Sequence, residues 1–191
     1  MNLPKKYVLT GGPCTGKSSL INLFKKMGYQ TVQEAAAIIM REEREKGKEV
    51  PWEDLNCFQS RVLNKQLEFE NKLDPIPIAF VDRGTLDGMA YFKLFEKTPP
   101  HELFQKALEN RYDGIFLLDF LPFYNKNKIR TESFLTAKKI HAFLKKTYKN
   151  AGYNVIEVPP LNLQARASFI YKRTEEIAVK GFSIVEKVWG Q

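Results

Sequence analysis

Residues 11–18, Gly-Gly-Pro-Cys-Thr-Gly-Lys-Ser, restrict the folds open to this chain more than any other feature. They match the P-loop pattern Gly-x-x-x-x-Gly-Lys-Ser. The preceding Tyr7-Val8-Leu9-Thr10 is apolar and β-prone, and Ser19–Phe24 carries apolar residues at helical spacing. Strand, loop and helix therefore arrive in the order that the pattern requires. Glycines let consecutive backbone N–H groups turn toward one anion, and the helix starting there adds its positive dipole end. Gly11, Gly12, Pro13, Cys14, Thr15, Gly16, Lys17, Ser18 and Ser19 are thus expected to cradle nucleotide phosphates. Lys17 would reach the β- and γ-phosphates, and the Ser18 hydroxyl would ligate Mg²⁺.

Five β-like runs alternate with helical patterns: Tyr7–Thr10, Tyr29–Val32, Ile76–Asp82, Ile115–Asp119 and Asn154–Val158. Alternation of this kind predicts βαβ units and a parallel sheet. Pro77-Ile78-Ala79-Phe80-Val81 and Ile115-Phe116-Leu117-Leu118 are continuously apolar, as strands covered on both faces should be. Helices are expected over Glu34–Lys46, Glu53–Leu73, Thr85–Phe95, Ser133–Tyr148 (with Ser133 as N-cap) and Leu163–Ile177. No linker or internal repeat divides the chain, so residues 1–191 are expected to form one domain.

Ligands of open α/β sheets bind beyond the carboxyl ends of the strands. Strand two ends at Gln33-Glu34, strand three at Asp82-Arg83 with Asp87 just beyond, and strand four at Asp119. Packing alone does not ask an apolar run to stop on Asp-Arg-Gly. A capping or turn role for Asp82, and a helix-terminus role for Glu34, are the competing explanations.

Charge and cysteine content narrow the remaining classes. The formal net charge is +8, and between Lys126 and Lys149 eight basic residues stand against Glu132 alone. A solvated helix face explains much of this, and an anion-facing loop the rest. No nucleic-acid-binding motif accompanies it, which argues against nucleic acid as a partner. The longest apolar runs are too short to span a bilayer. With the first strand beginning near Tyr7, no leader segment is expected. Cys14 and Cys57 suggest neither a disulfide framework nor a metal site, which suits a reducing, cytoplasmic setting. His101 and His141 read as surface or core-edge residues.

Leu9–Leu20, Gln33-Glu34-Ala35-Ala36 and Val81–Tyr91 together resemble the P-loop AAA-type domain of the NadR group. That group includes the ribosylnicotinamide kinase domain of NadR and the TRPL-translocation-defect protein. Ile129-Arg130-Thr131-Glu132 resembles its lid motif, and Gly152–Pro159 followed by Arg166 resembles its last strand and helix. The resemblance spans nearly the whole chain. It implies a three-layer α/β/α, nucleoside/nucleotide-kinase-like P-loop NTPase with a five-stranded parallel sheet of order 2-3-1-4-5 and a short helical lid. It implies ATP or GTP with Mg²⁺, and Arg166 among the nucleotide-binding residues.

The leading expectation is phosphoryl transfer from ATP to a small hydroxyl acceptor of nucleoside type. Ser18 and Asp82 would hold Mg²⁺. Glu34 or Asp82 would accept the hydroxyl proton. Arg83 and Arg130 would neutralise charge on the transferring group, with Asn125–Thr131 as the lid. The acceptor would lie between Glu34, the helix around Gln59 and Arg61, and Asp82–Asp87. The alternatives are a nucleotide-dependent switch with slow hydrolysis and a protein or lipid partner, and a nucleic-acid-associated ATPase using the basic stretch. Oligomeric state is not readable.

Overall fold

The computed structural model describes residues 4–47, 54–75, 77–122 and 133–189, with side chains as far as residue 178. Five strands, β1 (Lys5–Thr10), β2 (Gln30–Val32), β3 (Ile78–Asp82), β4 (Gly114–Leu118) and β5 (Val155–Val158), form one sheet in the order β2-β3-β1-β4-β5. Every pairing is parallel, with Leu9 beside Asp82 and Thr10 beside Leu117. The parallel sheet is the one expected from the alternation of strands and helices, and its order is the one that the family resemblance implied.

Period-two alternation along the strands divides the core. Val8, Val81, Ile115 and Leu117 face α3 (Leu55–Glu70), α4 (Asp87–Leu94), α5 (His101–Glu109) and α6 (Phe134–Asn150). Tyr7, Leu9, Phe80, Phe116 and Leu118 face α1 (Lys17–Lys26) and α7 (Leu163–Trp189). Helix α2 (Ala35–Glu45) leaves β2 directly. On the second face Phe24 stacks on Phe80 with centroids 3.8 Å apart. Truncating such a ring costs about 3–5 kcal/mol, so this stack anchors the helix that carries the P-loop.

Element boundaries differ from the sequence expectation where tertiary pairing recruits polar residues. Strand β1 begins at Lys5, because Lys5 and Lys6 pair with Ile78 and Ala79. Helix α5 was not expected. Its buried Leu103 and Ala107, with Phe104 and Leu108 partly buried beside them, have the helical spacing that would have revealed it. Helix α7 runs past Ile177 to Trp189. Ser133 caps α6 as expected, accepting from the Thr136 N–H. The expected lid, Asn125–Thr131 with Arg130, lies outside the described residues.

Candidate active site

The loop between β1 and α1 has the backbone that its glycines permit. Gly11 has φ +140° and Gly16 φ +82°. A side chain on Gly11 would meet the Leu118 carbonyl at 2.8 Å, and one on Gly12 the Ala137 carbonyl at 2.8 Å. The loop is thus wedged between β4 and α6, and only glycine fits at its first two positions. Cys14, in the same loop, adopts φ +64°.

Lys17 folds over the loop. Its ammonium donates to the carbonyls of Gly11 (2.8 Å) and Gly12 (2.9 Å) and to Thr15 Oγ1 (3.3 Å). It is almost fully buried, and burial, with Arg83 nearby, lowers its pKa to about 8. Arg166, reaching from α7, donates from Nη1 to the Thr15 carbonyl at 2.7 Å and from Nη2 to the Asp119 carbonyl at 3.3 Å. It braces the loop from behind, and burial lowers its pKa. His141 belongs to this wall too. Its Nδ1 accepts from the Gly12 N–H at 3.5 Å. Its single-residue context in the sequence carried no sign of that contact.

Asp82 ends β3 beneath the loop. Its Oδ2 is 3.4 Å from Ser18 Oγ. Its Oδ1 is buried and has no hydrogen-bond partner among the described residues. Burial, reinforced by the Glu34 charge, raises its pKa to about 7. Among the described residues no backbone N–H donates to the Asp82 carboxylate, so no capping bond accounts for it. An orphaned carboxylate oxygen beside a hydroxyl is a donor set suited to Mg²⁺, which takes few protein oxygens and keeps water and phosphate oxygens as its other ligands.

Arg83 has φ +67°, an uncommon conformation for a side-chain-bearing residue. It aims the guanidinium sideways. Nε donates to Glu34 Oε1 at 2.7 Å, and Nη1 to Asp87 Oδ2 at 3.2 Å. Asp87 also accepts from Thr10 Oγ1 (2.8 Å), the Gly84 N–H (3.1 Å) and the Tyr148 hydroxyl (2.6 Å). Glu34 precedes α2 but makes no capping bond to it. Its carboxylate accepts from Arg83 instead.

These groups open on a cavity of about 440 Å³. Lys17, Glu34 and Arg83 line one side. Ala36 and Met40 from α2, Phe58, Gln59 and Val62 from α3, and Met89 and Tyr91 from α4 line the rest. Gln59 therefore stands where the acceptor was expected. Arg61 does not: its Nη2 donates to Glu43 on α2 at 2.7 Å, and it is absent from the cavity wall. Asp82 also lies outside that wall, beneath Lys17 and Ser18.

A P-loop over a parallel 2-3-1-4-5 sheet, with a carboxylate–arginine pair at the strand ends, defines the P-loop nucleotide-kinase fold. A family profile described as AAA domain matches residues 6–166, and the chain belongs to that family. Solved structures with the same fold include NadR in complex with NR (TM-score 0.65, 20% identity) and NadR in complex with NAD and AMP-PNP (TM-score 0.60, 18% identity). Both matches cover 82% of this chain, which spans only 46% and 44% of those NadR chains. Thymidylate kinase from Candida albicans has a TM-score of 0.63 at 13% identity, covering 91% of this chain and 92% of that one. Thymidylate kinase from Ehrlichia chaffeensis gives 0.64 at 10% identity, covering 90% and 98%. No curated protein matches the chain at a significant level. Among the described residues no helix is long and apolar enough to cross a membrane.

Proposed function

We propose that the chain is a single P-loop domain that transfers the γ-phosphoryl group of ATP, or GTP, to a hydroxyl of a small nucleoside-like acceptor, with Mg²⁺ bound at Ser18 and Asp82. The observation that carries this reading is the pairing of two sites at one sheet edge. The P-loop with its orphaned Asp82 oxygen suits a metal-bound triphosphate, and the cavity that the P-loop itself lines continues past Glu34 and Arg83 to α2, α3 and α4, where it suits a small second substrate. The NadR and thymidylate kinase likenesses support a kinase, at identities that speak for the fold alone.

Mg²⁺, when bound, would neutralise phosphate charge and orient the β- and γ-oxygens. The Lys17 ammonium would exchange its carbonyl partners for phosphate oxygens. Glu34 would accept the acceptor proton through Oε1 or Oε2. Asp82, with its raised pKa, is the stronger base, but it lies under Lys17 and Ser18 and does not line the cavity. Position therefore favours Glu34 as base and Asp82 as metal ligand. Arg83 would hold Glu34 ionised and oriented, and would lend its charge to the transferring group. Arg130, outside the described residues, is proposed on its sequence motif alone for the same charge. Catalysis of this kind is mostly positioning and electrostatics. Cys14 and Cys57 form no disulfide, which suits a reducing, cytoplasmic setting.

A screen of nucleosides and nucleotides, ribosylnicotinamide included, for acceptor-dependent release of ADP tests the reading. Nucleotide binding with no turnover on any acceptor would favour the switch instead.

A further inference from the structure

Gln59 is a buried polar side chain of the cavity outside the network around Arg83. Only 5% of it is exposed, it lines the cavity, and among the described residues its amide makes no hydrogen bond. Gln66, two turns along the same face of α3, shows the contrast: its Nε2 is bound to Glu70 Oε1 and to the Arg83 carbonyl. Unlike Asp82 Oδ1, this amide is not sealed away from solvent, so it stands open to whatever occupies the cavity. The walls near it are apolar, with Phe58 and Val62 beside it on α3 and Met89 across on α4.

The neighbouring helix makes room for that amide. A Cβ on Gly88 would lie 2.5 Å from Gln59 Oε1 and 3.3 Å from Cδ. Glycine is a poor residue for the first turn of a helix interior. Gly88 sits there, next to Asp87, with no positive φ to account for it. The space that its missing side chain leaves is taken up by the Gln59 carboxamide.

We infer that Gln59, in the place that Gly88 leaves for it, is the specificity-determining residue for the acceptor, and that it reads a planar heterocycle presenting a hydrogen-bond donor and acceptor side by side. A primary amide offers one acceptor and two donors in a plane, which matches such an edge in two bonds. Apolar walls would enclose the ring's faces, and the riboside hydroxyl would extend toward Glu34. This rests on the acceptor occupying the cavity as proposed above. It goes further in naming the group that chooses among acceptors.

Calorimetric binding of adenosine and cytidine, whose base edges carry adjacent donor and acceptor, is compared with purine riboside and ribose, which lack that edge. ADP release is measured on the same set. Wild-type protein is expected to bind at least one of the first pair about 10–100-fold more tightly than purine riboside, the usual value of a bidentate amide contact. Gln59→Leu should erase that preference while ATP binding persists. Gly88→Ala should erase it too, by displacing the amide, without loss of thermal stability, because alanine is the better helix residue. A stable Gly88→Ala protein with unchanged preference overturns the inference, as does equal binding of all four compounds, or of none, by wild type. Selective binding that both variants lose, without ADP release from any compound, keeps the inference and removes the kinase reading.

Discussion

Arg83 Nε donates to Glu34 Oε1 at 2.7 Å across 49 positions of sequence, joining the ends of β3 and β2. Asp87 holds the other arm of the same guanidinium, and Tyr148 of α6 holds Asp87. The charge of Arg83 is secure: burial opposes it, but Glu34 and the neighbouring acidic groups outweigh burial and keep its pKa well above the usual value. One cation thus orients two carboxylates at the cavity edge.

Glu34→Gln should retain nucleotide affinity and lose turnover by roughly 10²–10⁴-fold, the range of a positioned general base. Arg83 remains anchored on Asp87, so the fold should survive. Steady-state kinetics at saturating acceptor are the check. Normal turnover would make the Glu34–Arg83 pair a structural clasp.

Lys17→Ala should weaken nucleotide binding by about 10–100-fold, in line with charge-assisted hydrogen bonds to phosphate of about 1.5–3 kcal/mol. Stability without nucleotide should change by only about 1 kcal/mol, since burial already disfavours this ammonium. Nucleotide titration beside chemical denaturation separates the two effects.

Asp82→Asn should have opposite effects on stability and on metal dependence. The folded-state pKa of Asp82, about 7, lies above its unfolded value, so the fold favours the protonated carboxyl. That contribution is complete below the unfolded pKa of about 3.9 and is lost as pH rises through about 7. Asparagine keeps a neutral side chain at every pH. Without nucleotide or Mg²⁺, Asp82→Asn should therefore be more stable than wild type at pH 8, and the gap should close as pH falls toward 4. The same variant should need more Mg²⁺ to bind nucleotide at pH 8. Denaturation midpoints over that pH range, with Mg²⁺ titrations, would show both. A variant less stable at pH 8 would contradict the assignment.

Arg166→Met should reduce nucleotide affinity about tenfold while leaving stability within about 1 kcal/mol. Its Nη1 fixes the Thr15 carbonyl, yet its Nε is buried without a partner among the described residues, so the guanidinium is an expensive way to fill that space. Unaltered nucleotide affinity would reduce Arg166 to core packing.

Residue order alone determined the P-loop, the parallel sheet and the carboxyl-end candidates Glu34, Asp82 and Arg83. Those depend on contiguous motifs and on the alternation of strand and helix, and both are local. Helix α5 was missed because it lies where no motif marked it, although its apolar spacing was legible. Tertiary structure decided everything that depends on which side chain meets which. Gln59 and Arg61, two residues apart on one helix, cannot share a face, but the sequence did not say which face meets the cavity. The fold turns Gln59 into the cavity and Arg61 toward Glu43. Asp82 and Asp87 were both strand-end carboxylates. The sheet buries one with an orphaned oxygen beside Ser18 and gives the other four partners. His141 and Arg166 touch the P-loop only because α6 and α7 pack beside it. A motif specifies the backbone that it needs, whereas the partners and burial that set each group's charge come from segments that meet only when the chain folds.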